Sequence, residues 1–285
     1  MTATRSLCIA AALTGFAANS LLTRAAVGGG HLEAAPFALI RILTGAAALT
    51  VLVGIRDARR SDPTTLGRPW LAALALTGYL ATFTIAYTRI GAAIGALLLF
   101  GAVQVTMVTM GLLRGERPAR IDWLGVGLAA AGLIVLTLPG AVAPNMAGAL
   151  LMISAGVCWG VYSLLGRGSA APLADTAANF VRASAVCVLP FAWLAWPPQG
   201  TLTGVVLATA SGIVASGLGY SFWYAALPAL SAWRAAIFQL IVPVLTAAGA
   251  WILLDESITP RLAVAGVLVA IGVWFTSSPR WHTPR

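Results

Sequence analysis

Apolar residues gather along this chain into ten stretches of about twenty, separated by short polar, glycine- or proline-bearing turns. A helix rises about 1.5 Å per residue and a bilayer's hydrocarbon core is about 30 Å thick, so about 20 apolar residues suffice to cross it. The pattern predicts spans near 6 to 26, 34 to 55, 69 to 88, 91 to 113, 121 to 138, 146 to 166, 177 to 196, 202 to 226, 231 to 254 and 261 to 277. Connections such as 139 to 145 and 255 to 260 are only long enough to turn, so no sizeable domain outside the membrane is expected. The first stretch shows no clear cleavage site and has a counterpart later in the chain, which predicts a mature helix and not a signal peptide.

The second five stretches retrace the first five. Ser20-Leu21-Leu22-Thr23-Arg24 closes the first stretch and Ser163-Leu164-Leu165-Gly166-Arg167 the sixth. Arg41 is answered by Arg182, and Leu113, Glu116 and Gly132 by Leu253, Glu256 and Gly272. An ordered series of matches at a nearly constant offset marks a duplication. Each half holds an odd number of spans, so the second enters the membrane from the opposite side. The expected fold is an all-α membrane protein of ten transmembrane helices, arranged as two inverted five-helix repeats over residues 1–140 and 141–285. Inverted repeats are characteristic of secondary transporters, whose halves exchange conformations around a site near the midplane.

Composition agrees: 60% of residues are hydrophobic, 9% are charged and mean hydropathy is +0.92. The net charge of +9 changes the picture only through its placement, because all 17 basic residues are Arg. With a cytoplasmic N-terminus, the inner side carries Arg5, Arg56, Arg59, Arg60, Arg68, Arg114, Arg117, Arg120, Arg167, Arg234, Arg280 and Arg285. The outer side carries Arg24, Arg89 and Arg261, while Arg41 and Arg182 sit within helix ends. This positive-inside bias places both termini in the cytoplasm, in the inner membrane of a bacterium, and leaves no charge that needs a nucleic-acid partner. Beyond the lipid bilayer and a small-molecule substrate no partner is expected, and a monomer is the expected working unit. Cys8, Cys158 and Cys187 lie in apolar spans without metal-ligand spacing, so they predict core packing, no metal and no cofactor.

Two copies of a five-helix unit, in which the fourth and ninth spans end on a Leu pair followed by Glu (Leu112 to Glu116, Leu253 to Glu256) before a Gly-bearing helix, resemble the EamA-type drug/metabolite transporter superfamily. The ten-span amino-acid and metabolite exporters are the nearest in character. Pro243 stands in the ninth span where the family pattern has proline; Val103 holds the equivalent first-half place and departs from it. The resemblance covers essentially the whole chain and implies export.

No Asp, Glu, Lys or His lies near the middle of a span, which disfavours proton-coupled antiport through a buried carboxylate. A phosphorylated substrate would want Arg or Lys at mid-depth, and the pattern offers none there. Two charged sets repeat, Arg24, Glu33 and Arg41 against Arg167, Asp175 and Arg182; they suit either ties between helix ends or paired gates. Polar and aromatic residues at mid-depth are the site candidates. Phe100 and Gln104 follow helical spacing in the fourth span and Gln239 lies in the ninth, each amide carrying donors that hydrocarbon cannot satisfy. Asn19, Tyr79, Phe83, Trp159, Ser163, Tyr220 and Trp223 complete an amphipathic, uncharged pocket. Pro243 removes a backbone hydrogen bond near Gln239 and is the candidate hinge. Gly91 and Gly95, and Gly156 and Gly160, set small residues four apart for close helix approach.

These features predict an exporter of small neutral or zwitterionic metabolites, amino acids foremost, including aromatic or hydrophobic ones, working by alternating access. Facilitated flux down a gradient follows from the missing proton carrier. The rival reading is an intramembrane enzyme such as a lipid-modifying transferase. Such an enzyme needs an acidic metal cluster or a histidine base, and His31 and His282 fall in a loop and at the tail.

Overall fold

A computed structural model describes residues 3–57, 70–116, 119–137, 144–167, 169–194 and 199–277. All ten apolar stretches are helical within those residues. In chain order they are α1 (Ala3–Thr23, prolonged by a π-helical turn Arg24–Gly28), α2 (Ala34–Asp57), α3 (Trp70–Ala86), α4 (Ala92–Leu113), α5 (Arg120–Thr137), α6 (Met146–Gly166) and α7 (Pro172–Leu194). The eighth rod is α8 (Leu202–Ala210), a π-helical segment Ser211–Leu218 and α9 (Gly219–Ala226). The ninth is α10 (Ala232–Gln239) and α11 (Ile241–Leu254), and α12 (Pro260–Ser277) is the last. Among the described residues, seven rods are long and apolar enough to cross a membrane, and those built on α3, α5 and α12 are shorter apolar helices. Arg59, Arg60, Arg68, Arg117, Arg280, Arg285 and His282 lie outside the described residues.

Local chemistry sets the ends. Asn145, Thr201 and Ser231 cap α6, α8 and α10, each side-chain oxygen accepting from the backbone N–H three residues on. Helix α7 begins at Pro172, ahead of the expected 177: proline suits the first helical turn, and the polar Asp175 and Thr176 had hidden that turn from an apolar count. The ninth rod breaks at Leu240, where Pro243 has no N–H to offer the carbonyl of Gln239.

The polar and apolar residues are distributed inside out relative to a water-soluble protein. Leu7, Leu113, Leu189, Trp193 and Leu253 are exposed, while Asn19, Arg41, Gln104, Ser211, Ser216 and Gln239 are buried. An apolar exterior over a polar centre is stable only where lipid covers the surface.

Packing comes in matched pairs. α3 packs along α6, and α1 along the π segment and α9; α4 packs on α6, and α11 on α1. α2 lies against α7, and α5 against α12. Gly156 lets α6 touch α4 closely, since a Cβ there would stand 2.3 Å from the Leu99 carbonyl oxygen. The principal core runs through α1, α2, α3, α4, α6, α7, α9, α10 and the start of α11. The candidate site lies within it.

Candidate functional site

Phe16 of α1 stands at the centre of a buried ring cluster. Its ring centroid lies 5.1 Å from Trp159, 5.8 Å from Tyr220, 5.6 Å from Trp223 and 6.4 Å from Phe100. Trp159 also stands 4.7 Å from Tyr220 and 5.1 Å from Tyr79, which meets Phe83 at 5.0 Å. Mostly tilted and edge-on, these contacts fall in the range aromatic pairs favour. The structure thus brings together Tyr79, Phe83, Phe100, Trp159, Tyr220 and Trp223 from four rods around Phe16 of a fifth. Gln239 joins them: its Oε1 accepts from Trp159 Nε1 at 2.6 Å, and its Nε2 donates to the Ala235 carbonyl at 3.2 Å. Gln104 and Ser163 are buried but tied to none of these residues; both amide atoms of Gln104 and the Ser163 hydroxyl lack a hydrogen-bond partner. Pro243 is buried beside the break in the ninth rod.

The expectation of an uncharged pocket is corrected here. Arg41 is fully buried, and its guanidinium lies within the cluster, 5.5 Å from the Tyr79 ring centroid and 5.1 Å from that of Phe83. Nε donates to Ser216 Oγ at 3.0 Å, and Nη2 to Tyr220 Oη at 3.0 Å and Tyr79 Oη at 3.3 Å. Nη1 has no partner, and no carboxylate among the described residues pairs with this cation. The sequence count placed Arg41 near a helix end, but its side chain reaches inward. Its Cα lies about 10 Å from the start of α2, whereas Tyr220 lies about 9 Å from the end of α9, at 1.5 Å per residue. An Arg in hydrocarbon costs at least about 2.5 kcal/mol on insertion scales, so a buried one without a counter-ion marks a functional position by default.

The π-helical segment builds the wall behind Arg41. A π turn closes from residue i to i+5, so positions five apart stack, whereas in an α-helix they diverge by about 140°. Ser211 and Ser216 are such a pair, and both hydroxyls donate to Asn19 Oδ1, at 2.8 and 3.1 Å. Asn19 is thereby fixed with Oδ1 toward the serines and Nδ2 without a partner. Gly212 lets this segment sit on α2, because a Cβ there would stand 2.5 Å from the Arg41 carbonyl oxygen. Sequence reasoning missed Phe16, Ser211 and Ser216 and gave Arg41 no place in the pocket. Phe16 had a usable signal, since it holds the same repeat position as Trp159. The π register left no mark in the apolar pattern.

Arg24 and Arg167 of the repeated charged sets are tied to carboxylates from the other half of the chain. Arg24 bonds Glu256 through Nε at 2.9 Å and the Tyr87 carbonyl through Nη1 at 3.1 Å, while Glu33 is exposed. Glu256 further accepts from the backbone N–H of Ala92, the first residue of α4, at 2.8 Å. Arg167 repeats the arrangement with Glu116 and with the Leu230 carbonyl at 2.9 Å. Glu116 accepts from the N–H groups of Ala232 and Trp233, which open α10. Asp175 is instead held by the Ser169 hydroxyl. Each glutamate is aimed by a residue in left-handed backbone, Gly115 at φ 82° and Asp255 at φ 52°. Each carboxylate therefore joins the two halves of the chain, meeting both an arginine and the positive end of a helix. Partial burial pushes the Glu116 carboxyl up, but Arg167 and the α10 backbone outweigh it and hold the group below its ordinary value. A cavity of about 490 Å³, lined by Arg24, His31, Leu207, Leu254 and Glu256, lies beside the Arg24 cluster.

This chain is similar to several known proteins. It is 48% identical over 271 residues to an uncharacterised protein of Pseudomonas aeruginosa strain PAO1, covering 94% of this chain and 93% of that one. It is 28% identical over 226 residues to an uncharacterised transporter of Archaeoglobus fulgidus, covering 74% and 78%. A probable amino-acid metabolite efflux pump of Salmonella typhimurium is 25% identical over 198 residues, covering 64% and 66%. A crystal structure at 21% identity superposes with a TM-score of 0.72 over 97% of this chain and 99% of that one, which shows a shared fold. The EamA-like transporter family matches residues 146–278. Family and transporter relatives together identify a transporter and set aside the intramembrane enzyme. The chain belongs to the EamA-like transporter family, as a multi-pass membrane protein.

Proposed function

We propose that the protein exports small zwitterionic or neutral metabolites, amino acids with aromatic or hydrophobic side chains foremost, by alternating access around the ring cluster. The observation that carries this reading is the pair of matching Arg–Glu clusters that bracket the cluster, Arg24 with Glu256 and Arg167 with Glu116. All ten rods cross the membrane, as two inverted repeats over residues 1–140 and 141–285. Both termini lie in the cytoplasm, one cluster then facing outward and the other inward. Opening either one exposes the site to one side only. The paired packing of α3 on α6 and α1 on α9 supports the repeat, since each contact recurs with the halves exchanged.

The substrate-binding set is Asn19, Tyr79, Phe83, Phe100, Gln104, Trp159, Ser163, Tyr220, Trp223 and Gln239, with Phe16 and Arg41 added. Pro243 is the hinge, and a monomer suffices. Its similarity to a probable amino-acid metabolite efflux pump supports the substrate class. The test is flux of a labelled amino-acid panel in vesicles holding the purified protein, with and without a pH gradient. Saturable movement of aromatic or branched amino acids down their gradients is expected. A panel in which no amino acid moves faster than in protein-free vesicles would overturn the reading.

A further inference from the structure

Resting on that reading of the site, we infer that Arg41 anchors a carboxylate of the transported molecule, so that the cargo must carry one negatively charged oxygen pair beside its apolar body. The local chemistry is one-sided. Both N–H groups of Arg41 Nη1 are buried and meet no acceptor, and the nearby Asn19 Nδ2, linked to Arg41 through Ser216, is in the same state. The hydroxyls of Tyr79 and Tyr220 accept from Nη2 as neutral groups, so they bring no negative charge to the guanidinium. The protein has therefore filled the acceptors around this cation with its own donors and supplied no carboxylate among the described residues.

A set of converging donors around one planar cation fits an acceptor with several lone pairs and a single negative charge. A phosphate dianion would want a second cation, and Arg24 and Arg167 are each engaged by a glutamate. The rings next to the guanidinium suit the rest of the cargo: Tyr79 touches Trp159, which touches Phe16 and Tyr220. A purely structural arginine would be expected to spend Nη1 on a backbone carbonyl, as Arg24 spends its Nη1 on Tyr87.

The test compares each amino acid that the wild-type protein moves with its own amide, which keeps the ammonium and side chain and lacks the negative charge. Competition for flux and thermal shift of the full chain in nanodiscs are the readouts. Wild type should prefer the acid by about tenfold or more, the scale of one charge-assisted bidentate contact. Arg41→Gln should lose that preference, the acid being weakened about tenfold more than the amide, and Arg41→Lys should retain part of it. Tyr79→Phe and Tyr220→Phe should weaken the acid more than the amide, without removing the charge.

Equal handling of acid and amide by wild type overturns the inference while the transport reading stands, and that arm needs no folded variant. Parallel loss of acid and amide in Arg41→Gln shows a structural arginine and overturns it too. Stabilisation by sodium chloride or phosphate alone that matches the acid's would show an inorganic anion as the occupant. Failure of every panel member to move overturns the transport reading itself.

Discussion

Trp159 Nε1 donates to Gln239 Oε1 at 2.6 Å, joining α6 to the last residue of α10, where the ninth rod breaks. A side-chain bond at a helix break couples a pocket ring to the motion of the segment beyond it. Gln239→Ala removes the acceptor and leaves a buried indole N–H, at a cost of about 1–3 kcal/mol. Flux should fall about tenfold or more while folded protein remains in the membrane. Trp159→Phe tests the same bond from the other side and is milder than Trp159→Ala, whose cavity would cost about 3–5 kcal/mol. Normal flux in Gln239→Ala and Trp159→Phe, with unchanged melting, would remove both residues from the site.

Much of the helical pattern could be read from apolar run lengths, because each run is buried by lipid or core along its whole length. What escaped was the pairing across the halves. Arg24 finds Glu256 and not the adjacent Glu33, and only the fold places the end of the ninth rod beside the end of the first. Arg41 escaped because a position count follows Cα depth, and a long side chain carries its charge about a helix turn further in. Its signal was the lack of any acid within one turn on either side. The π segment escaped because its register changes which residues align, without changing how apolar they are.

The Glu116 cluster should show its charge in acid. A carboxyl whose folded pKa lies below the unfolded value contributes stability in full above that value, and loses it as pH falls through the folded pKa. The ordinary value is 4.5, so the cluster is intact at neutral pH and weakens only below about 4.5. The melting temperature of wild type should exceed that of Glu116→Gln at pH 7, and the gap should close as pH drops below 4. A gap that stays constant down to pH 3 would show that the Arg167 and backbone contacts do not act through the charge.

Gly115 occupies left-handed backbone between the end of α4 and Glu116, a conformation that costs a β-branched residue about 1–2 kcal/mol. Gly115→Val should lower the melting temperature and mimic Glu116→Ala in flux, because the carboxylate is no longer aimed at α10. Asp255→Gly, at the corresponding place, should be neutral or stabilising by up to about 1 kcal/mol. Wild-type melting and flux in Gly115→Val would show that the turn does not aim the carboxylate.

If the two Arg–Glu clusters are the outer and inner gates, removing each arginine should open the site to that arginine's own side, outward for Arg24 and inward for Arg167. Ser20 and Ser163 make this measurable, because each is buried and lies four residues, about one helix turn, before Arg24 and Arg167 respectively. In a chain with Cys8, Cys158 and Cys187 replaced by Ala, Ser20→Cys should react slowly with a membrane-impermeant maleimide added outside. Adding Arg24→Ala should speed it about tenfold, since a lost ion pair of about 1–2 kcal/mol shifts a two-state population by roughly that factor. Ser163→Cys should show the same acceleration with Arg167→Ala only when the reagent is added inside, in inverted vesicles. Opposite sidedness of two equivalent serines is what an inverted repeat demands and a parallel one forbids. Acceleration of both from the same side would sink the gate assignment and the inversion together.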